Sequence, residues 1–337
     1  MINLKKFLNN LCRCVFLIAL FLISSLFLSG CEKNKDVNLT KIRLGEVTHS
    51  PFYAPLYVAI EKGYFKDEGL VIDLSLISGA NNVTAAVLSG DIDVGFCGPE
   101  ATIYIYNGGE KDFIQTFAGL TKRDGQFLVS RKEITDFDWA NLKGKRVLAG
   151  RIGGMPELNF ENALKNAQVS KSSVDIDTSV DFASLTSAFI AGEGDFVNLF
   201  EPNATLLAKM GYGHIVASIG SKSGDMPYTA FNTRKSYLEE NREVLEKFTS
   251  ALARGLEFCQ SATSEEVAEV IASQFKDTSI NDLIAIIKRY SEADSWLTTP
   301  YIEEKMFENL EDIMVDSKQI ESYVPFEDLV VNIYKEN

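Results

Sequence analysis

Beyond its first thirty residues, the chain alternates short β-branched apolar runs with segments whose apolar positions recur every three or four residues. Residues 41–48 (KIRLGEVT), 70–77 (LVIDLSLI) and 93–98 (DVGFCG) read as strands. Between and after them, 54–63, 81–90 and 100–109 read as helices, closed by Gly63, Gly90 and a Gly-Gly pair. Strands at 113–121 and 126–130 follow. The rhythm then repeats with strand 144–151, helix 156–167, strand 174–180, helix 182–192, strand 195–200 and helix 202–211. Such alternation predicts parallel sheets with covering helices. SGDIDVGFCGPE (89–100) and AGEGDFVNLFEPN (191–203) each run helix end, Gly, Asp, strand, Pro, helix, a weak internal repeat of two α/β units. After strands at 214–220 and 226–234 the texture changes. From Ser236 onward nearly everything is amphipathic helix, with no proline between Pro227 and Pro300, and this extension should pack against the first unit.

The amino terminus belongs to neither unit. Lys5, Lys6 and Arg13 precede an apolar run from Cys14 to Leu28, and LSGC (28–31) follows. A basic start, a short apolar core and small residues at a cut site describe a secretory leader over 1–30. The run falls short of the roughly 20 residues that span a bilayer, although an uncleaved anchor helix is the alternative. LSGC resembles a bacterial lipobox, which implies that Cys31 carries a lipid and that 31–40 is a polar tether to the membrane.

Charge narrows the classes of partner. The leader holds three of the 33 basic residues and no acid, so 30 basic face 47 acidic residues in the remainder, a net charge of −17. That excludes nucleic acid as a partner, which requires basic patches. After Cys31 only Cys97 and Cys259 remain. They read as two buried free thiols, although nothing in their spacing forbids a disulfide. With only His49 and His214, no metal-ligand spacing and no Ser/His/Asp pattern appears.

HSPFYAPLYVAIEKGYFKDEGLVIDL (49–74), VLSGDIDVGFCGPE (87–100) and LKGKRVLAG (142–150), in this order and at these distances, resemble the nitrate/sulfonate/taurine and thiamine-pyrimidine-precursor family of solute-binding proteins. The resemblance covers residues 41 to about 260. It implies an α/β fold: a two-lobed type 2 periplasmic binding protein with two crossover strands, near Phe127–Arg131 and Tyr228–Asn232. Lobe 1 would comprise 41–129 and 227–337, its helical carboxyl-terminal extension packed on it, and lobe 2 would comprise 130–226. It further implies capture of a small molecule between the lobes and delivery to an ABC permease, by a lipid-anchored, extracytoplasmic monomer without cofactor or metal.

In open α/β sheets, ligands bind outside the carboxyl ends of the strands. Those ends gather Ser50, Phe52, Tyr53, Asn81, Gly98, Glu100, Arg123, Asp124, Gly153, Gly154, Met155, Glu157, Glu201 and Tyr228 as candidate ligand-binding residues. Each has a bland alternative. Glu100 and Glu157 could simply favour a helix dipole, Asn81 could cap a helix, Arg123 could pair with Asp124, and Phe52, Tyr53 and Tyr228 could be packing. Gly153 and Gly154 would let the backbone approach a ligand. Convergence of Glu100, Glu157 and Glu201 would repel a bare oxyanion and favour a nitrogen heterocycle that donates hydrogen bonds, such as a thiamine pyrimidine precursor. Sulfonate, taurine or nitrate is the runner-up, carried by Arg123 and the glycine-turn amides. The same family resemblance extends to fungal pyrimidine-phosphate synthases. The cysteine run of those enzymes is absent here, so a binding protein rather than an enzyme is expected.

Overall fold

The computed structural model describes residues 39–334. The expected leader, Cys31 and nearly all of the tether lie outside the described residues. Among these, no helix is long and apolar enough to cross a membrane.

Among the described residues, ten strands form two five-stranded sheets. The first contains β1 (Thr40–Glu46), β2 (Leu70–Leu76), β3 (Val94–Cys97), β4 (Ile114–Thr121) and β10 (Thr229–Arg234), in the order β2-β1-β3-β10-β4. The second contains β5 (Phe127–Ser130), β6 (Arg146–Leu148), β7 (Asp175–Asp177), β8 (Phe196–Leu199) and β9 (His214–Ser218), in the order β7-β6-β8-β5-β9. The orders match position for position. In each sheet three parallel strands are followed by an antiparallel one that enters from the other half: β10 between β3 and β4, β5 between β8 and β9. The weak repeat around β3 and β8 is therefore a repeat of topology.

The chain crosses between sheets at 122–126 and again at 219–228. Phe127–Ser130, within the expected crossover strand Phe127–Arg131, is the antiparallel strand by which the chain enters the second sheet, so the expected lobe boundary after residue 129 falls inside it. The strand is buried throughout, and its backbone N–H and C=O groups are paired by the ladders to β8 and β9. Thr229–Arg234 likewise lies wholly within the first sheet.

The helical extension follows from spacing and caps. The Arg242–Ser261 helix buries Leu245, Phe248, Leu252, Leu256 and Cys259 along one face. Phe248 meets Phe231 of β10 and Phe117 of β4 edge-on, and Phe231 stacks on Phe96 of β3 at 4.3 Å. Asn241 interrupts what the sequence reads as one helix from 236 to 260. Its side chain closes the Lys235–Glu240 helix on the Tyr237 carbonyl. A Thr263/Glu266 capping box and the Ser279 cap start the next two helices, Ser264–Ile271 and Ile280–Glu292. The extension also reaches the second half. The Glu304–Asp316 helix contacts the Met155–Asn166 helix, and Asn309 donates to the Asp225 carbonyl at 2.9 Å. Cys97 and Cys259 are free and buried.

Candidate ligand-binding cleft

The carboxyl ends of β1, β3, β6 and β8 face one another around a cavity of about 70 Å³. The first half contributes Val47, Tyr53, Gly79, Ala80, Gly98 and Glu100, and the second contributes Arg151, Gly154, Met155, Pro156, Phe182 and Phe200. Tyr228 and Thr229, at the second crossing, complete the lining. The walls are aromatic: Phe200 lies 5.9 Å from Phe182 and 6.2 Å from Tyr228, both edge-on.

Glu100 supplies the cavity's acid. Strand β3 ends at Cys97, Gly98 and Pro99 turn the chain, and Glu100 opens the Glu100–Asn107 helix, 1% exposed. A Cβ on Gly98 would collide with Glu100 Oε2 and Met155 Cγ, so only glycine leaves room for this carboxyl. Burial raises its pKa to about 7, and the charge of Arg151, with Nη2 3.9 Å from Oε1, together with the backbone N–H groups of Glu100, Ala101 and Met155, offsets this only in part. Glu100 Oε2 has no hydrogen-bond partner within the protein. The Tyr228 hydroxyl faces the Asp124 carboxyl and perturbs its titration, although neither the hydroxyl nor Oδ2 is in a well-formed hydrogen bond. Burial lifts Asp124 to about 8.

Of the fourteen residues expected at the site, Tyr53, Gly98, Glu100, Gly154, Met155 and Tyr228 line the cavity. Phe52 lies one layer behind it, its ring against Tyr53, Phe200, Tyr228 and Tyr290. Ser50 caps the Phe52 amide at 3.2 Å and donates to the Glu201 carbonyl. Asn81 is exposed, donating to Asn82, and Gly79 takes the N-cap position of its helix. Arg123 pairs with Asp225 and Asp294 rather than with Asp124, whose Oδ1 holds the Gln126 amide at 2.7 Å.

The three carboxylates do not converge. Glu157 Oε2 accepts the Gly153 amide at 3.0 Å, and burial followed by the nearby Glu161 raises it to about 7. Glu201 binds Arg289 and accepts from the Thr205 amide and hydroxyl. The glycine turn is consequently closed from within. Gly153, at φ +68°, gives its N–H to Glu157, and its carbonyl accepts the Tyr104 hydroxyl at 2.8 Å from the other half. It offers no open cradle for an anion.

Arg151, Phe182, Phe200 and Thr229 were not among the expected residues. Arg151, Phe200 and Thr229 adjoin strand ends or the second crossing, so the strand-end rule contains them, but residue type did not single them out. Phe182 has no such signal: it opens a single 3-10 turn, Phe182–Ser184, several residues past β7. Beside the cleft, Glu46, His49 and Tyr57 form a closed set. His49 Nδ1 lies 2.7 Å from Glu46 Oε1, the Tyr57 hydroxyl donates to Glu46 Oε2 at 2.6 Å, and His49 Nε2 lies 3.0 Å from the Gln274 carbonyl. Among the described residues no cluster of three or more His, Cys, Asp or Glu could hold a metal.

Two sheets of matching order with a cleft at their strand ends define the periplasmic binding protein fold. A solved alkanesulfonate-binding protein, SsuA from Xanthomonas axonopodis pv. citri, superposes with a TM-score of 0.67 at 14% identity, covering 87% of this chain and 98% of that one. Residues 50–265 match the model of the NMT1/THI5-like family, to which the chain belongs. YtlA of Bacillus subtilis (strain 168), whose name proposes a binding protein, is 39% identical over 304 residues, 90% of each chain. A 4-amino-5-hydroxymethyl-2-methylpyrimidine phosphate synthase of Aspergillus parasiticus is 32% identical over 119 residues, 34% of this chain and 33% of that one.

Proposed function

We propose that this chain is the extracytoplasmic, lipid-anchored binding protein of an ABC importer, and that it captures a nitrogen heterocycle of the aminopyrimidine class between its two lobes. The observation that carries the ligand class is the Glu100 carboxyl, fully buried among aromatic walls with Oε2 unpartnered. A buried acceptor without a donor is costly. The amino group of a flat heterocycle supplies that donor while its faces meet Tyr53, Phe200 and Tyr228. A group raised to about 7 also serves in either form, accepting from an amino N–H when ionised and donating to a ring nitrogen when protonated. The shared family with pyrimidine-phosphate synthases supports the same chemistry. The full-length match to YtlA supports binding rather than synthesis.

The runner-up ligand is a sulfonate or nitrate, favoured by the presence of Arg151 on the lining and by SsuA's fold. Arg151 is already opposite Glu100, however, so a bare anion would meet a compensated cation. Calorimetric titration of Glu100→Gln with 4-amino-5-hydroxymethyl-2-methylpyrimidine separates the two. Loss of a charge-assisted hydrogen bond contributes roughly 1.5–3 kcal/mol, so affinity should fall about 10- to 100-fold. Unchanged pyrimidine affinity, or tighter binding of an alkanesulfonate by the variant, overturns the heterocycle reading.

A further inference from the structure

Phe182 and Phe200 have cavities on both sides. On the side away from Glu100 lies a second chamber of about 120 Å³, reached by His49, Gln126, Asn198 and Glu201. Gln126 immediately precedes β5 and Asn198 sits in the adjacent β8, where Leu128 is its partner in register. Both side chains are fully buried. Gln126 Oε1 and both polar atoms of Asn198 have no hydrogen-bond partner. Gln126 Nε2 reaches only the Asn198 carbonyl, at 3.4 Å. Three unpartnered polar atoms on two buried amides, side by side on neighbouring strands, are rare in a protein interior. Their chemistry is specific: one NH₂ donor and two carbonyl acceptors. Exchanging the N and O of Asn198 leaves the same donor and acceptor.

The charged groups of the chamber are already engaged. Glu201 is held by Arg289 and Thr205, and His49 by Glu46 and the Gln274 carbonyl. No uncompensated cation remains to meet a phosphate or sulfonate there. We propose that this chamber is a specificity subsite for an uncharged substituent that both donates and accepts hydrogen bonds, a hydroxyl or a primary amide, projecting past Phe200 from the ring held at Glu100. The assignment rests on the heterocycle reading for the ring, and on Gln126 and Asn198 for the substituent.

The test compares 4-amino-5-hydroxymethyl-2-methylpyrimidine, its 5-methyl analogue and its phosphate ester by calorimetry on the intact mature protein, with Asn198→Leu and Gln126→Met as near-isosteric variants. The hydroxymethyl compound should bind the wild type at least about 10-fold more tightly than the methyl analogue, because the latter leaves the amides unpaired. In Asn198→Leu the preference should collapse while the methyl analogue still binds. Equal binding of the two by the wild type, a preference that survives both substitutions, or tighter binding of the phosphate ester overturns the subsite and leaves the ring assignment standing. If neither pyrimidine binds, the ring assignment falls. The subsite is then decided by titrating acetamide and acetone into ¹⁵N-labelled protein. Saturable shifts of the Asn198 and Gln126 side-chain NH₂ signals with acetamide alone sustain it, and their absence overturns it. Loss of each signal in its variant identifies it.

Discussion

Replacing Glu100 with Gln tests the electrostatics of the cleft without any ligand. The substitution keeps size and shape and removes a single titration. In the folded protein Glu100 titrates at about 7 instead of 4.5, with burial as the dominant cause. At ~1.4 kcal/mol per pKa unit, ionising it inside the fold costs about 3 kcal/mol relative to the unfolded chain. Because the folded pKa is the higher one, the native state holds the proton while the unfolded state has lost it. The stabilisation is complete below about pH 4.5, declines as pH rises, and is gone above about pH 7. Asp124 and Glu157, raised to about 8 and about 7, tilt the wild-type curve in the same direction. The informative quantity is therefore the difference between wild type and Glu100→Gln. Urea unfolding at half-unit steps from pH 4.5 to 8.5 should show the wild type losing about 3 kcal/mol relative to the variant across this range. A difference that stays constant within 0.5 kcal/mol would refute a desolvated Glu100, and with it the case for a carboxyl that awaits a donor.

Other consequences follow from the same contacts. Glu201→Gln should leave pyrimidine affinity within about twofold, since that carboxylate serves Arg289 and Thr205. Arg289→Met should destabilise by about 2–4 kcal/mol in urea unfolding, at the lower end of the cost of stranding a buried charge because Arg289 keeps some solvent contact; a loss under 1 kcal/mol would show the pair to be unimportant. Gly98→Ala should weaken pyrimidine binding at least about 10-fold by displacing Glu100 and Met155 while the far-ultraviolet circular dichroism stays unchanged; wild-type affinity would contradict the crowding argument. Cys31→Ser should abolish lipid attachment and release the protein or leave it unprocessed, read by detergent partitioning and intact mass; full membrane retention of processed variant would defeat the anchor assignment. Small-angle scattering should show a smaller radius of gyration at saturating pyrimidine than without it if an open form is populated, as hinge closure requires.

The architecture was legible because it is written in periodicity. Apolar runs and glycine stops predicted the strands and major helices, and residue order alone exposed the equivalence of β3 and β8. The crossover strands were legible too, since Phe127–Arg131 and Tyr228–Asn232 overlap β5 and β10, but only the partners β8 and β9 show to which sheet Phe127–Ser130 belongs. The site was half legible. Glu100 followed from its position after a strand and a Gly-Pro turn. Glu157 and Glu201 occupy comparable positions yet turn to Gly153 and Arg289. Arg289 lies in a helix far along the chain, and no local pattern announces that it will neutralise Glu201. Gln126 and Asn198 were invisible for the opposite reason. A polar residue in or beside a strand is ordinary, and its significance comes from lacking partners once buried.

The two crossings and the helical extension are tied together by hydrogen bonds and ion pairs. The Met226 amide donates to the Lys122 carbonyl at 2.9 Å and the Tyr228 amide to the Thr121 carbonyl at 3.0 Å, so the outgoing and returning chains are stitched together. Arg123 ties the first crossing to Asp225 of the second and donates to the Ala293 carbonyl at 2.9 Å, while Lys122 pairs with Asp294 at 2.8 Å. Ala293 and Asp294 directly follow the Ile280–Glu292 helix, which also presents Arg289 to Glu201 and the Tyr290 hydroxyl to the Gly125 carbonyl. That helix therefore touches the hinge and the second half at once. The Tyr290 hydroxyl also accepts the Glu201 amide at 3.1 Å, so Arg289 and Tyr290 together hold the Glu201 segment of the second half beside the crossings. Arg123, one of the candidate ligand-binding residues, is held by Asp225 and Asp294 beside the crossings, leaving Glu100 and Arg151 as the facing charged residues of the cavity. The cavity lining is left largely aromatic, with Glu100 Oε2 and the Tyr228 hydroxyl unpartnered, and the proposed preference for a flat hydrogen-bond donor over a free anion rests on that combination.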